Sequence, residues 1–154
     1  MNKKKIIWAL IILAIVFALV YAYREYTRTH KDLAGVKADL AVESGILISE
    51  FEKNDSAANK KYLGKILDIS GVVKEIDTAA GGIYTIVLGH PGSKSSVRCQ
   101  LDSIHASDAA KLSSGSSVLM RGACTGFEKN ELLGENLGSD VHLNRCVVVS
   151  IKNN

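Results

Sequence analysis

Aromatic residues make up only 6% of the 154 residues, and three of the five tyrosines (Tyr21, Tyr23 and Tyr26) crowd against one apolar run. The remainder therefore has little to stack on nucleic-acid bases, which single-strand binders need alongside a basic groove. The charge excess is small as well, a formal +3, with no basic stretch beyond Lys3-Lys4-Lys5. That is too little to argue for a phosphate-tracking surface. Three cysteines (Cys99, Cys124 and Cys146) stand far apart, and the histidines (His30, His90, His105 and His142) are scattered. No pair has metal-ligand spacing, and no Ser-His-Asp order stands out, so no metal, cofactor or catalytic residue is expected. Gly81-Gly82 and Gly89-His90-Pro91-Gly92 lack the strand–GxxxxGK[ST]–helix context of a phosphate loop and read as turns. One proline beside 13 glycines excludes a proline-rich disordered tail and suits an ordered domain with tight turns. No internal repeat is visible.

What the chain does have is an uncharged stretch, IIWALIILAIVFALVYAY, from Ile6 to Tyr23. At 1.5 Å rise per residue its roughly 18 residues reach roughly 27 Å, which predicts a membrane-spanning helix. Trp8 near one end and Tyr21, Tyr23 and Tyr26 near the other suit the two headgroup interfaces. Lys3–Lys5 and a cut after Val20-Tyr21-Ala22 would suit a signal peptide, but Tyr23 and Arg24 make a poor exit. The expectation is an uncleaved single-pass anchor over 6–23, a short cytoplasmic tail over 1–5 and a polar stalk over 24–37. The domain over 38–152 would then face the periplasm or the cell exterior.

Beyond the stalk, Leu40, Leu47, Ile48 and Phe51 recur at helical spacing, with small Ala41 and Ser44 on the same side. Asn54 ends that helix, and Asp55 is placed to cap a short second one. After Tyr62 the period changes to two. Strands are expected at Ile66–Ile76, Ile83–Leu88, Ser96–Leu101, Ser117–Phe127 and Asn144–Lys152, with a short helix over 102–112 capped by Ser107. Gly71 inside the first strand marks a bend that lets one strand serve two sheets. Three strands, a helix and two more strands is the order of the five-stranded Greek-key OB-fold, with the N-terminal helix packed on it. The expected class is mainly β with helices.

The stretch from Phe51 to Lys65 resembles the opening signature of bacterial tRNA_anti-like OB-fold proteins. Ile69-Ser70-Gly71-Val72-Val73, Val118 to Phe127 and Asp140 to Cys146 continue the resemblance, which covers roughly residues 40 to 151. It implies the fold and little about function, because many such proteins are exported or membrane-anchored with no known role. In the OB strand order the last two strands are neighbours, so Cys124 and Cys146 are a disulfide candidate worth about 2–4 kcal/mol. Two buried free thiols would fit the same positions, and Cys99 reads as core. By analogy with other OB-folds, Tyr84 and Arg98 on strands two and three form a candidate binding face. His90 and Lys94 in the loop between those strands would belong to it. The expected function is a non-enzymatic binding or structural module with a protein, peptide or glycan partner in the envelope, nucleic acid being disfavoured. The competing reading is a cytosol-facing, membrane-tethered nucleic-acid binder.

Overall fold

A computed structural model describes residues 3–29, 32–132 and 135–152. The chain divides into two compact units, Met1–Asp32 and Leu33–Asn154. The first contains the helix α1 (Lys3–Thr29). Among the described residues no helix is long and apolar enough to cross a membrane. The expected anchor and its single-pass topology are therefore corrected, and the exported position loses the support it drew from them. The physical reason lies in the length of the run. The uncharged run of roughly 18 residues sits at the short end of the roughly 17–25 that a hydrocarbon core of about 30 Å takes. The sequence on both sides is charged, with Lys3–Lys5 before it and Arg24, Glu25 and Arg28 after it.

In the second unit the expected five-stranded barrel is also corrected. Six strands form one sheet: β1 (Leu40–Glu43), β2 (Ile66–Ala79), β3 (Ile83–Leu88), β4 (Ser96–Leu101), β5 (Ser117–Leu132) and β6 (Glu135–Lys152). Their order is β1-β2-β3-β4-β6-β5, and β2 pairs with β5 as well, so the sheet curls back on itself. The extra strand is β1, which runs parallel to β2 with Leu40 opposite Leu67 and Glu43 opposite Ser70. Its four residues are too few to separate a period of two from one of 3.6, which is why Leu40 read as part of a helical stripe. The helix itself, α2 (Ser44–Lys53), starts at Ser44.

Gly71 sits where β2 changes partners. Ile66–Val72 pair with β5, whereas Val73–Ala79 pair with β3. A Cβ on Gly71 would lie 2.6 Å from the Ser44 Oγ, so the glycine is also what lets α2 lie against the strand. The core inside the curl is built by Leu67, Ile69, Val73, Ile86, Leu88, Val97, Met120, Val141 and Leu143, with α2 supplying Leu47, Ile48 and Phe51. Helix α3 (Asp55–Tyr62) adds Ala58 and Tyr62. Its cap is Asn54, whose side chain accepts from the Ala57 amide, and Asp55 is the first helical residue. The segment Ser103–Lys111 is a 3₁₀ helix capped by Asp102, not by Ser107. Strand β6 begins nine residues earlier than expected, and β5 runs to Leu132.

All three cysteines are free and buried in this core. Cys124 and Cys146 lie on the neighbouring strands β5 and β6, and the neighbouring thiol that adds to burial in pushing the Cys146 thiol up is that of Cys99. Arg145, with φ 50°, marks a bulge between Leu143 and Cys146 in the pairing with β4. The Cys146 sulfur fills the space that a Cβ on Gly122 would need. Burial pushes the Cys124 and Cys146 thiols up, so both stay protonated and weakly nucleophilic at neutral pH.

The two helices are tied together at Glu50, which accepts hydrogen bonds from Lys61 Nζ at 2.8 and 3.0 Å and from the Tyr62 hydroxyl at 3.0 Å. The bond from Lys61, then that from Tyr62, holds the Glu50 carboxyl below its usual range. A depressed folded-state pKa contributes stability that is present above the unfolded value, near 4.5, and lost as pH falls through the folded value. Glu50→Gln should therefore lower the melting temperature slightly at pH 7, the pair being largely solvent-exposed. The gap from wild type should close as the pH is taken below 4.5. Melts at pH 7 and pH 3 check this, and an equal gap at both would rule it out.

Candidate binding face

The strands β3 and β4 occupy the positions that present ligands in OB-type barrels. Alternation decides which side chains they offer. Tyr84, Ile86 and Leu88 turn to the core side of β3, and Val97, Cys99 and Leu101 to the core side of β4. Thr85 and Val87 of β3 and Arg98 and Gln100 of β4 are left on the outer side.

Register then fixes what stands beside Arg98. One row across the sheet runs Glu75, Val87, Arg98, His142, and the next runs Asp77, Thr85, Gln100. On the other side of Arg98, Ser96 is opposite Asp140, which is opposite Glu128. The guanidinium lies 2.5 Å from Asp77 and 3.8 Å from Asp140. Asp140 also accepts from Asn130 Nδ2 at 3.2 Å, and His142 Nε2 lies 3.6 Å from Glu128. Val87 is only 3% exposed, although it lies outside the core cluster. The face thus sets four carboxylates (Glu75, Asp77, Asp140 and Glu128) against one guanidinium already engaged by two of them. The His142 Nε2 atom in this face is buried with no hydrogen-bond partner among the described residues, as is Asn144 Oδ1 further along β6.

The loop between β3 and β4 is held as a fixed rim. Lys74 Nζ donates to the Ser93 carbonyl at 2.7 Å and to Ser96 Oγ at 2.9 Å. Ser95 Oγ donates to Glu52 at 2.7 Å and accepts from the Ser139 amide at 3.0 Å. His90 is exposed at the tip, its Nδ1 lying 2.7 Å from the Pro91 carbonyl. Lys94 is exposed on the same loop. Of the four residues singled out from sequence, Arg98 points outward from the sheet and His90 and Lys94 ride the loop. Tyr84 is half-buried against the core. The carboxylates around Arg98 were missed, since their proximity depends on cross-strand register that spacing along the chain does not reveal. The visible signal was Glu75 and Asp77 at a spacing of two.

A curled sheet in the order β2-β3-β4-β6-β5, closed by β2 on β5 and with a helical segment between β4 and β5, is a protein of the OB class. The tRNA_anti-like family model matches residues 1–136, and the chain belongs to that family. Among solved structures it is similar to a candidate nucleic acid-binding lipoprotein from Klebsiella pneumoniae. The TM-score is 0.54 at 20% identity over 78% of this chain and 98% of that one. An asparaginyl-tRNA synthetase from Entamoeba histolytica gives 0.40 at 13% identity, over 58% of this chain and 22% of that one. At these identities the similarity speaks to fold alone. No protein of curated function matches the sequence at a significant level.

Proposed function

We propose that this chain is a non-catalytic OB-type binding module whose β3–β4 face takes a protein or peptide partner bearing basic residues. The observation that carries the reading is the carboxylate-rich surround of Arg98. Two of the four acidic side chains are within 3.8 Å of the guanidinium, and Glu75 stands exposed in the same row. Such a field repels a phosphate backbone and steers a cationic partner. The inward placement of Tyr84 removes the stacking platform that a single strand would use. The second reading, nucleic-acid binding, is favoured by the family's fold and by the description of the Klebsiella neighbour.

One titration series separates the two. Labelled lysine-rich peptides and short single-stranded oligonucleotides are titrated with the full chain at low and high salt. The peptide should bind, weaken as salt rises, and lose about tenfold in affinity with Asp77→Asn and Asp140→Asn together, a loss of about 1.4 kcal/mol. The oligonucleotides should not bind. Steeply salt-dependent oligonucleotide binding that Arg98→Ala or Lys94→Ala weakens would establish the second reading instead.

A further inference from the structure

The opposite flank of the curled sheet carries a groove of about 370 Å³ that shares no residue with the β3–β4 face. Register builds it. Glu43, Ser70, Leu119 and Ser150 form one outward row across β1, β2, β5 and β6. Val72, Ser117 and Lys152 form the next. Val72 and Leu119 supply an apolar floor, the three serines supply hydroxyls, and a carboxylate and an ammonium stand at opposite walls. Among the described residues none of these five polar side chains has an internal hydrogen bond or ion pair. The nearest strong charges, Asp68 and Arg121 in the adjoining row, satisfy each other.

The chemistry of the lining narrows the ligand. No aromatic side chain lines the groove, which argues against a base or a sugar ring. Opposite charges at the two walls call for a molecule with opposite charges at its two ends. Three strand spacings of about 4.8 Å, with a two-residue step of about 6.6 Å along β6, separate the Glu43 and Lys152 backbones by about 16 Å, and both side chains shorten the gap. Two or three extended residues, at roughly 3.3–3.6 Å each, span what remains. We propose that this groove binds a free peptide of two or three residues. Its α-ammonium meets Glu43, its α-carboxylate meets Lys152, its amides bond to the serines, and a small apolar side chain rests on Val72 and Leu119.

The test titrates the full chain with trialanine, with N-acetylated trialanine, with trialanine amide and with free alanine. Calorimetry gives affinity and backbone NMR shifts give location. Trialanine should bind saturably and shift Ser70, Val72, Leu119 and Ser150. Capping either end should cost about tenfold, and alanine should bind more weakly still. Glu43→Gln should abolish the preference for a free amino end, and Lys152→Met the preference for a free carboxyl end. Both positions are exposed, so each variant should fold, and unchanged NMR dispersion confirms it. No saturable binding of trialanine would overturn the proposal. So would capped and free peptides binding alike, or shifts confined to β3 and β4.

Discussion

Phe51→Ala is expected to lower the free energy of unfolding by about 3–5 kcal/mol, the range for truncating a fully enclosed aromatic. Phe51 is fully buried on α2, stacked on Phe127 with ring centroids 5.0 Å apart and tilted against Tyr62 at 5.9 Å. Each such pair adds roughly 0.5–1.5 kcal/mol beyond area burial. The ring joins α2, α3 and β5, and losing it also frees Tyr62 from its position under Glu50. Against a total stability of about 5–15 kcal/mol for a domain of this size, the change is large. Urea unfolding followed by far-UV circular dichroism should show a lower midpoint with an unchanged slope. Phe51→Leu, which keeps most of the volume, should recover more than half of the loss. A cost below about 1 kcal/mol for the alanine variant would mean that the helices are appended to the sheet and are no part of its core.

The stripe that contains Phe51 could be read from sequence because an amphipathic helix advertises its buried face every three or four residues. Leu47, Ile48 and Phe51 are all buried. Strands β3 and β4 were legible for the corresponding reason at period two, and so was Gly71 as the point where β2 changes partners. Legibility fails where the local pattern is too short or too polar. Strand β1 has four residues, and its pairing depends on β2, roughly two dozen residues downstream. The first half of β6 and the end of β5 form a hairpin whose residues Glu128, Lys129, Glu131 and Glu135 are exposed. With little face to bury, they show no alternation, and backbone pairing alone makes them strands. The candidate face falls between these cases. Arg98 was visible as the outward residue between Val97 and Cys99, whereas Asp77 and Asp140 reach it only through two different ladders. The anchor was expected from an apolar run near the short limit of what a bilayer requires and from the aromatic residues at its two ends, and the described residues do not bear it out.

Arg121→Met should cost about 2–3 kcal/mol, less than the roughly 3–5 kcal/mol for stripping one partner from a fully buried ion pair, because this pair is part-buried. The guanidinium donates from Nε to Asp68 Oδ1 at 2.6 Å and from Nη2 to Asp68 Oδ2 at 2.9 Å, and from Nη1 to the Val36 carbonyl at 2.6 Å. The side chains of Arg121 and Asp68 are only 16% and 17% exposed. The hydrogen bond with Asp68 raises the Arg121 pKa further above its ordinary value, so the cation persists at every pH the fold survives. Methionine would leave the Asp68 carboxylate and the Val36 carbonyl without donors beside a small second core of Leu33, Ala123 and Val147. Arg121→Lys should lie between, because an ammonium keeps the charge and cannot match the two-pronged geometry. The decisive variant is the double replacement Asp68→Leu with Arg121→Met. If pairing is what the site needs, the double variant should recover most of the stability that Arg121→Met loses, since no buried charge is stranded. Hydrogen exchange at Val36, whose amide bonds to the Leu33 carbonyl, should nonetheless stay faster in the double variant. The Nη1 contact is what fastens the Leu33–Gly35 turn over the sheet, and no apolar replacement restores it. A double variant no more stable than Arg121→Met would show that the arginine acts by filling space, and the turn would then owe its place to Leu33 alone.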